Sequence, residues 1–245
     1  MKEDFRDSKV NFYKQIPAYN TPKVIDDATG IPYSSFKELL AVLPPGHNIR
    51  VPIILLALTG CRLCELNRMK SGHLHGNALY WKPGKNQRGW RRETLPLWFV
   101  KELDEYRNRY RVPIGSIIGC SGQGLRRMFN HKTRGFLGPD WQIKASVPFS
   151  GLRPHVLQLK GFRKSFATTI FWREYRKWRD AGVALEFASK RLRHSTKGMT
   201  AHHYLKEFDH VEVEGWDQFL NGEKALLVQA RLPDFGLETG GRRGL

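Results

Sequence analysis

The longest uninterrupted apolar run, Val51 to Leu58, is closed by Thr59-Gly60 and is only eight residues long. A bilayer span needs ~20 such residues, so the run is a core helix of a soluble protein, and neighbouring elements must supply the apolar faces that cover it. Ser35 with Glu38 forms a capping box, and Phe36, Leu39, Leu40 and Leu43 fall at i, i+3, i+4 and i+7, which predicts an amphipathic helix ending at Pro44-Pro45-Gly46. A further helix is expected from about Arg62 to Lys70. Ala78 to Trp81 and Glu93 to Leu97 read as two strands joined by the basic loop Pro83 to Arg92, a hairpin with a long charged tip. Helices follow at Phe99 to Arg109, Gln123 to Lys132, Leu159 to Trp178, where Phe162, Phe166 and Ile170 repeat every four, and Leu185 to Leu192. The expected fold is mainly α with a small antiparallel β-sheet. Residues 1–34 read as an arm or linker, 35–206 as the body, and 207–245 as a tail.

Charge separates body from tail. The whole chain carries +18, but the residues up to Lys206 hold 37 basic and 15 acidic side chains, whereas those from Glu207 onward hold 4 and 8. A body of net +22 calls for a polyanionic partner. Its cations fall in four groups: Lys82, Lys85, Arg88, Arg91 and Arg92; Arg126, Arg127, Lys132 and Arg134; Lys160 to Arg179; and Lys190 to Lys197. Any one group alone reads equally well as a solvated face, but four together suggest a surface that tracks a phosphate backbone. The expected DNA contacts are Lys82, Arg88, Arg91, Arg92, Arg126, Arg127 and Lys164. Three cysteines make no disulfide framework and the N-terminus is no secretory signal, so a reducing, cytoplasmic setting is expected.

Three fragments carry chemistry: Thr59-Gly60-Cys61-Arg62-Leu63-Cys64-Glu65-Leu66, Lys160-Gly161-Phe162-Arg163-Lys164-Ser165-Phe166-Ala167-Thr168, and Arg193-His194-Ser195, followed by Tyr204 ten residues after the histidine. In order and spacing the set resembles the tyrosine recombinases, the phage-integrase family, whose pattern is T-G-x-R-x-x-E-L, a hairpin lysine, H-x-x-R with S-F-A-T after it, and G-H-S leading to a tyrosine. The resemblance spans about residues 35 to 206 and implies that family's catalytic fold. Three departures stand out. Lysine (Lys160) occupies the first position of H-x-x-R, arginine (Arg193) replaces the commoner glycine, and the histidine-to-tyrosine interval is ten rather than nine. Lys160 and the Tyr-Leu after His202-His203 are similar to the integrases of archaeal viruses and plasmids.

Splitting a phosphodiester needs a nucleophile, charge stabilisation at the non-bridging oxygens and a proton for the leaving 5′-oxygen. The resemblance implies Tyr204 as nucleophile. Arg62 and Arg163 would clamp the phosphate with permanently charged guanidinium forks that do the work of a metal, and His194 would complete the clamp with a hydrogen bond to the same phosphate, so no metal or cofactor is required. Glu65, three residues after Arg62, would orient it, although a plain surface i,i+3 pair fits the same spacing. Lys85 is the candidate general acid and Lys82 its rival; Lys160 stands where the base is expected.

Other features are weaker. Cys61 and Cys64 with His73 and His75 lack zinc-site spacing, and core thiols are the simpler explanation. His155 lies eight residues before Arg163 rather than three. Family members usually carry a core-binding domain ahead of the catalytic one, and only about 35 residues precede the first helix, so a minimal member or a catalytic fragment is expected. The tail, with Trp216, Phe219 and Leu220 at helical spacing, could pack on its own body or on a neighbour, and docking on a neighbouring protomer is favoured. The expectation is therefore a DNA recombinase or integrase of a virus or mobile element. It would act on double-stranded DNA as a homo-tetramer while a monomer in free solution, with no membrane partner. A type IB topoisomerase and a non-catalytic DNA binder are the rivals.

Overall fold

The computed structural model describes residues 30–82, 89–136, 159–194, 197, 200 and 210–222. Helix α1 (Tyr33–Val42) begins after Pro32, two residues ahead of the Ser35 capping box expected from sequence. Its first turn is capped instead from a distant element: Glu212 accepts from the Ser34 N–H at 3.0 Å and from its hydroxyl at 2.5 Å. A carboxylate there satisfies an orphan donor and favours the positive end of the helix dipole. The other end of α1 is finished by Arg50, buried at the start of α2 (Arg50–Thr59), whose Nη1 donates to the Leu40 and Leu43 carbonyls at 2.6 Å each.

Every residue of α2 is buried, which is what a helix apolar on all sides requires. It stops at Gly60, in the left-handed region at φ 55. Helix α3 (Leu63–Leu66) is a single turn rather than the longer helix expected to Lys70. Asn67 ends it by accepting the Gly122 N–H at 2.9 Å, and the chain then becomes extended at Lys70 before a 3-10 turn, Ser71–His73.

Strands β1 (Leu74–His75), β2 (Ala78–Trp81) and β3 (Arg91–Thr94) form an antiparallel sheet in that order. The sheet has one strand more than sequence indicated, since two residues carry no period to read, and β3 lies two residues early because Pro96 already caps α4 (Leu97–Arg109). Then come α5 (Gly122–Phe136), α6 (Lys160–Trp178), α7 (Ala181–Leu192) and α8 (His210–Leu220). Helix α7 starts four residues before the apolar pattern does, because Asp180 Oδ1 caps it by accepting the Val183 N–H at 2.9 Å.

Helix α6 packs against α2, α7 and α8. At its α8 side Phe36 stacks on Trp216 at 4.8 Å between ring centroids, with Phe162 and Phe219 edge-on to Phe36 at 5.8 and 5.0 Å. Trp216 also donates its indole N–H to the Ile31 carbonyl at 2.8 Å. Helix α8 packs on its own chain, with Val213, Trp216 and Phe219 buried against α1 and α6. Gly215 permits the approach, since a Cβ there would meet the Tyr33 ring at 2.1 Å. Among the described residues no helix is long and apolar enough to cross a membrane.

Candidate functional site

Arg62 sits just before α3, and Glu65, almost fully buried, binds it twice: Oε2 accepts the Arg62 N–H at 3.0 Å and Oε1 the guanidinium at 3.2 Å. The pair expected from spacing is thus made, with the carboxylate also acting as the cap of the turn. The Arg62 side chain stays 35 % exposed, so its fork is held from behind and open in front.

Arg163 joins the three motif fragments. From the first turn of α6, Nη1 donates to the Gly60 carbonyl at 2.6 Å and Nη2 to the Leu192 carbonyl at 2.7 Å, while Nη2 also lies 3.2 Å from His194 Nε2. Arginine only donates, so Nε2 accepts, which places the ring proton on Nδ1; that nitrogen donates to Thr200 Oγ1 at 2.7 Å. Arg163 is only 4 % exposed. It therefore fixes the relative position of the Arg62 turn, the end of α7 and His194 before any substrate arrives.

The apolar letters of the motifs serve the same frame. A Cβ on Gly60 would meet the Phe166 ring at 2.5 Å, so the left-handed glycine and the phenylalanine of Ser165-Phe166-Ala167-Thr168 require one another. The Ser165 hydroxyl accepts the Ile31 N–H at 2.7 Å and anchors the entry to α1. Beside Arg62, burial pushes the Cys61 thiol up to about 12, against the opposing hydrogen bond from Thr59. Cys64 is exposed, so the two cysteines do not share one environment, and among the described residues no cluster of His, Cys, Asp and Glu is gathered for a metal ion.

The expected DNA contacts divide. Lys82, Arg92, Arg126 and Arg127 are exposed, and Lys160 opens α6 with its side chain exposed one turn before Arg163. Two expectations are corrected. Arg91 is 5 % exposed and Lys164 is 1 % exposed, so neither reaches a phosphate in this arrangement. Arg91 lies over the rings of Trp81 and Phe166, at 4.8 and 5.5 Å, donates to the Thr59 carbonyl and pairs with Glu93 at 3.2 Å. Glu93 in turn pairs with Arg191 of α7 at 2.5 Å. Alternation along β3 turns Arg91 inward beside exposed Arg92, a distinction that a count of charges cannot make. Lys85, Arg88 and Tyr204 lie outside the described residues.

Sequence reading missed Arg193 as a contributor, although its replacement of the commoner glycine was the available signal. It ends α7 in the left-handed region, at φ 53, and grips the returning arm of the hairpin, donating to the Gly89 carbonyl at 2.9 Å and to that of Trp90. The segment bearing His194 is thereby tied to the basic loop. Thr200 was missed as well, and no residue pattern marks it.

No family model matches the chain, and no curated protein does. Among solved structures it is similar to XerA recombinase, with a TM-score of 0.52 at 16 % identity, covering 81 % of this chain and 64 % of that one. A lambda integrase fragment solved as a dimer bound to a COC′ core site gives 0.49 at 19 % identity, covering 80 % and 66 %. XerH bound to its difH substrate gives 0.47 at 18 % identity, covering 72 % and 50 %. The chain thus spans less than two thirds of the XerA length. Its helical body with a three-stranded antiparallel sheet is the fold of the tyrosine-recombinase catalytic domain.

Proposed function

We propose that the chain is a site-specific DNA recombinase that cuts and rejoins strands through a covalent 3′-phosphotyrosyl bond to Tyr204. The observation that carries this reading is the convergence on Arg163 of the Gly60 carbonyl, the Leu192 carbonyl and His194, which assembles three separate motif fragments into one cationic site. The Tyr204 oxygen attacks phosphorus, the bond to the 5′-oxygen breaks, and the leaving oxygen takes a proton from Lys85 or Lys82. Lys160, at the start of α6, adds to the cationic field that helps Tyr204 lose its proton. In the reverse step a 5′-hydroxyl attacks the phosphotyrosine and releases Tyr204, so the energy of the phosphodiester is kept and no ATP is consumed.

Arg62 and Arg163 neutralise the non-bridging oxygens in place of a metal. Because Arg163 is nearly covered, phosphate binding exchanges one of its present contacts, most simply that with His194, for an oxygen, which frees both side chains for the substrate. Lys160 and the Tyr-Leu after His202-His203 support an integrase of the archaeal virus or plasmid type, and the recombinase reading carries with it a tetramer on DNA and a monomer off it.

A second reading draws on the same burial. If Arg163 never leaves its carbonyl partners, the protein is a DNA-binding relative without catalysis. A nicked suicide substrate separates the two: the wild type is expected to trap a covalent adduct that Tyr204→Phe abolishes, and the absence of an adduct with any DNA would favour the binder. Affinity for duplex DNA is expected to fall steeply between low and physiological salt. Strand transfer between two duplexes tells recombination from topoisomerase-like relaxation.

A further inference from the structure

The outward face of the sheet alternates rings and cations. Trp81 pairs with Arg91 and Tyr80 with Arg92, so the inward set is Leu79, Trp81, Arg91 and Glu93 while Tyr80 and Arg92 face outward, and carrying the alternation one residue past the strand ends puts Lys82 and Trp90 on that outward side. Arg92 lies over the Tyr80 ring at 5.9 Å, and His75 of β1 meets the same ring at 5.8 Å. Trp90 is 53 % exposed, although a tryptophan normally buries most of its surface. It is nevertheless held at two points. His73 stands edge-on to its ring at 4.9 Å, and Arg193, the residue before His194, grips its carbonyl.

With its main chain tied by Arg193 and one edge of its ring set against His73, the exposed indole is partly ordered before a base arrives. The exposed cations Lys82 and Arg92 on the same face supply the attraction for a phosphate chain. That combination is what stacking surfaces for unpaired nucleotides use, because every base has a π-face and the backbone is read by charge. We infer that this face, centred on Trp90, stacks an unpaired nucleobase of the DNA beside the cleavage site. The inference rests on the strand-transfer reading, in which strand exchange exposes unpaired bases next to the His194 segment that Arg193 ties to Trp90.

The test is fluorescence anisotropy with two probes, a short mixed-sequence duplex and the same duplex carrying one bulged nucleotide. Wild type is expected to prefer the bulged probe. Trp90→Ala should remove the preference with a loss of about tenfold on that probe, while the slope of affinity against salt stays as in wild type because no cation is lost. Trp90→Phe should keep most of the preference, and 2-aminopurine in the bulge should report stacking with wild type but not with Trp90→Ala. If Trp90→Ala keeps the preference, or if wild type binds both probes equally, the inference is overturned while DNA binding stands. If wild type shows no salt-dependent binding to either probe, the strand-transfer reading fails and this inference with it.

Discussion

The two sides of helix α6 are held by opposite physics. Toward α8 it meets an aromatic cluster, Phe36, Trp216 and Phe219, whose contacts are non-directional and draw on burial. Toward the sheet and the end of α7 it meets a polar frame, in which Arg163, Arg91, Glu93 and Glu65 are buried and each partner is a particular carbonyl, carboxylate or ring. The aromatic side supplies stability and tolerates substitution of similar shape. The polar side contributes less net stability, because desolvation offsets much of what its pairs gain, yet it specifies geometry, since a buried charge accepts few arrangements.

Three variants sharpen or break that contrast, and a fourth sets a reference outside it. The largest loss of stability is expected from Trp216→Ala, about 3–5 kcal/mol by urea unfolding, from the removed surface and the cavity left beside Phe36. Adduct formation per folded molecule should hardly change, and a selective loss of chemistry would erase the division.

Gly60→Ala comes next, at about 2–4 kcal/mol, combining left-handed strain with overpacking against Phe166. Here adduct formation per folded molecule should fall, because the Gly60 carbonyl orients Arg163. Cys61 offers a local readout: its buried thiol, raised to about 12, should resist iodoacetamide at neutral pH until the site opens, and Gly60→Ala should speed its labelling while exposed Cys64 reacts at an unchanged rate.

Glu65→Gln keeps the shape and removes the charge, so about 1–2 kcal/mol of stability should be lost, discounted because Arg62 is part exposed. Its effect should appear mainly in the cleavage rate at saturating DNA. Equal cleavage by the variant would make the Arg62–Glu65 pair merely the cap of α3.

The smallest effect lies away from both regions. Glu186, exposed and hydrogen-bonded by Lys190 and Lys197 at 2.7 Å each, has its carboxyl lowered to about 2 from 4.5. A depressed folded pKa contributes stability above the unfolded value and loses it as pH falls through the folded one, here between about 4.5 and 2. Thermal midpoints of wild type and Glu186→Gln should therefore differ slightly at pH 6, converge near pH 2, and converge at any pH in high salt.

Much of the architecture was legible beforehand. The helices α1, α4 and α6 announced themselves by period, α2 by its unbroken apolar run, and β2 as the first strand of a hairpin with a basic loop. The boundaries that moved did so where a distant group intervened: Glu212 capping α1, Asn67 binding Gly122, Asp180 starting α7. At the candidate site the Arg62–Glu65 pair was legible because both partners are local. Arg193 and Thr200 were not, since their partners Gly89, Trp90 and His194 are brought to them only by folding, or lie across a turn that no period marks.

By itself the sequence determined that the chain has a core, a strongly basic body, a mainly helical pattern and three motif fragments in order. Hydrophobic period, capping residues and charge are properties of neighbours along the chain, so they can be read from it. Only the tertiary structure decided which cations face water. Arg92 does, whereas Arg91 beside it is folded over Trp81, and Lys164 is buried like its neighbour Arg163. It also decided that Arg163 binds carbonyls 103 and 29 residues away. Burial and pairing depend on what the rest of the chain places around a side chain, and that is set by packing between segments, not by the order of residues within one.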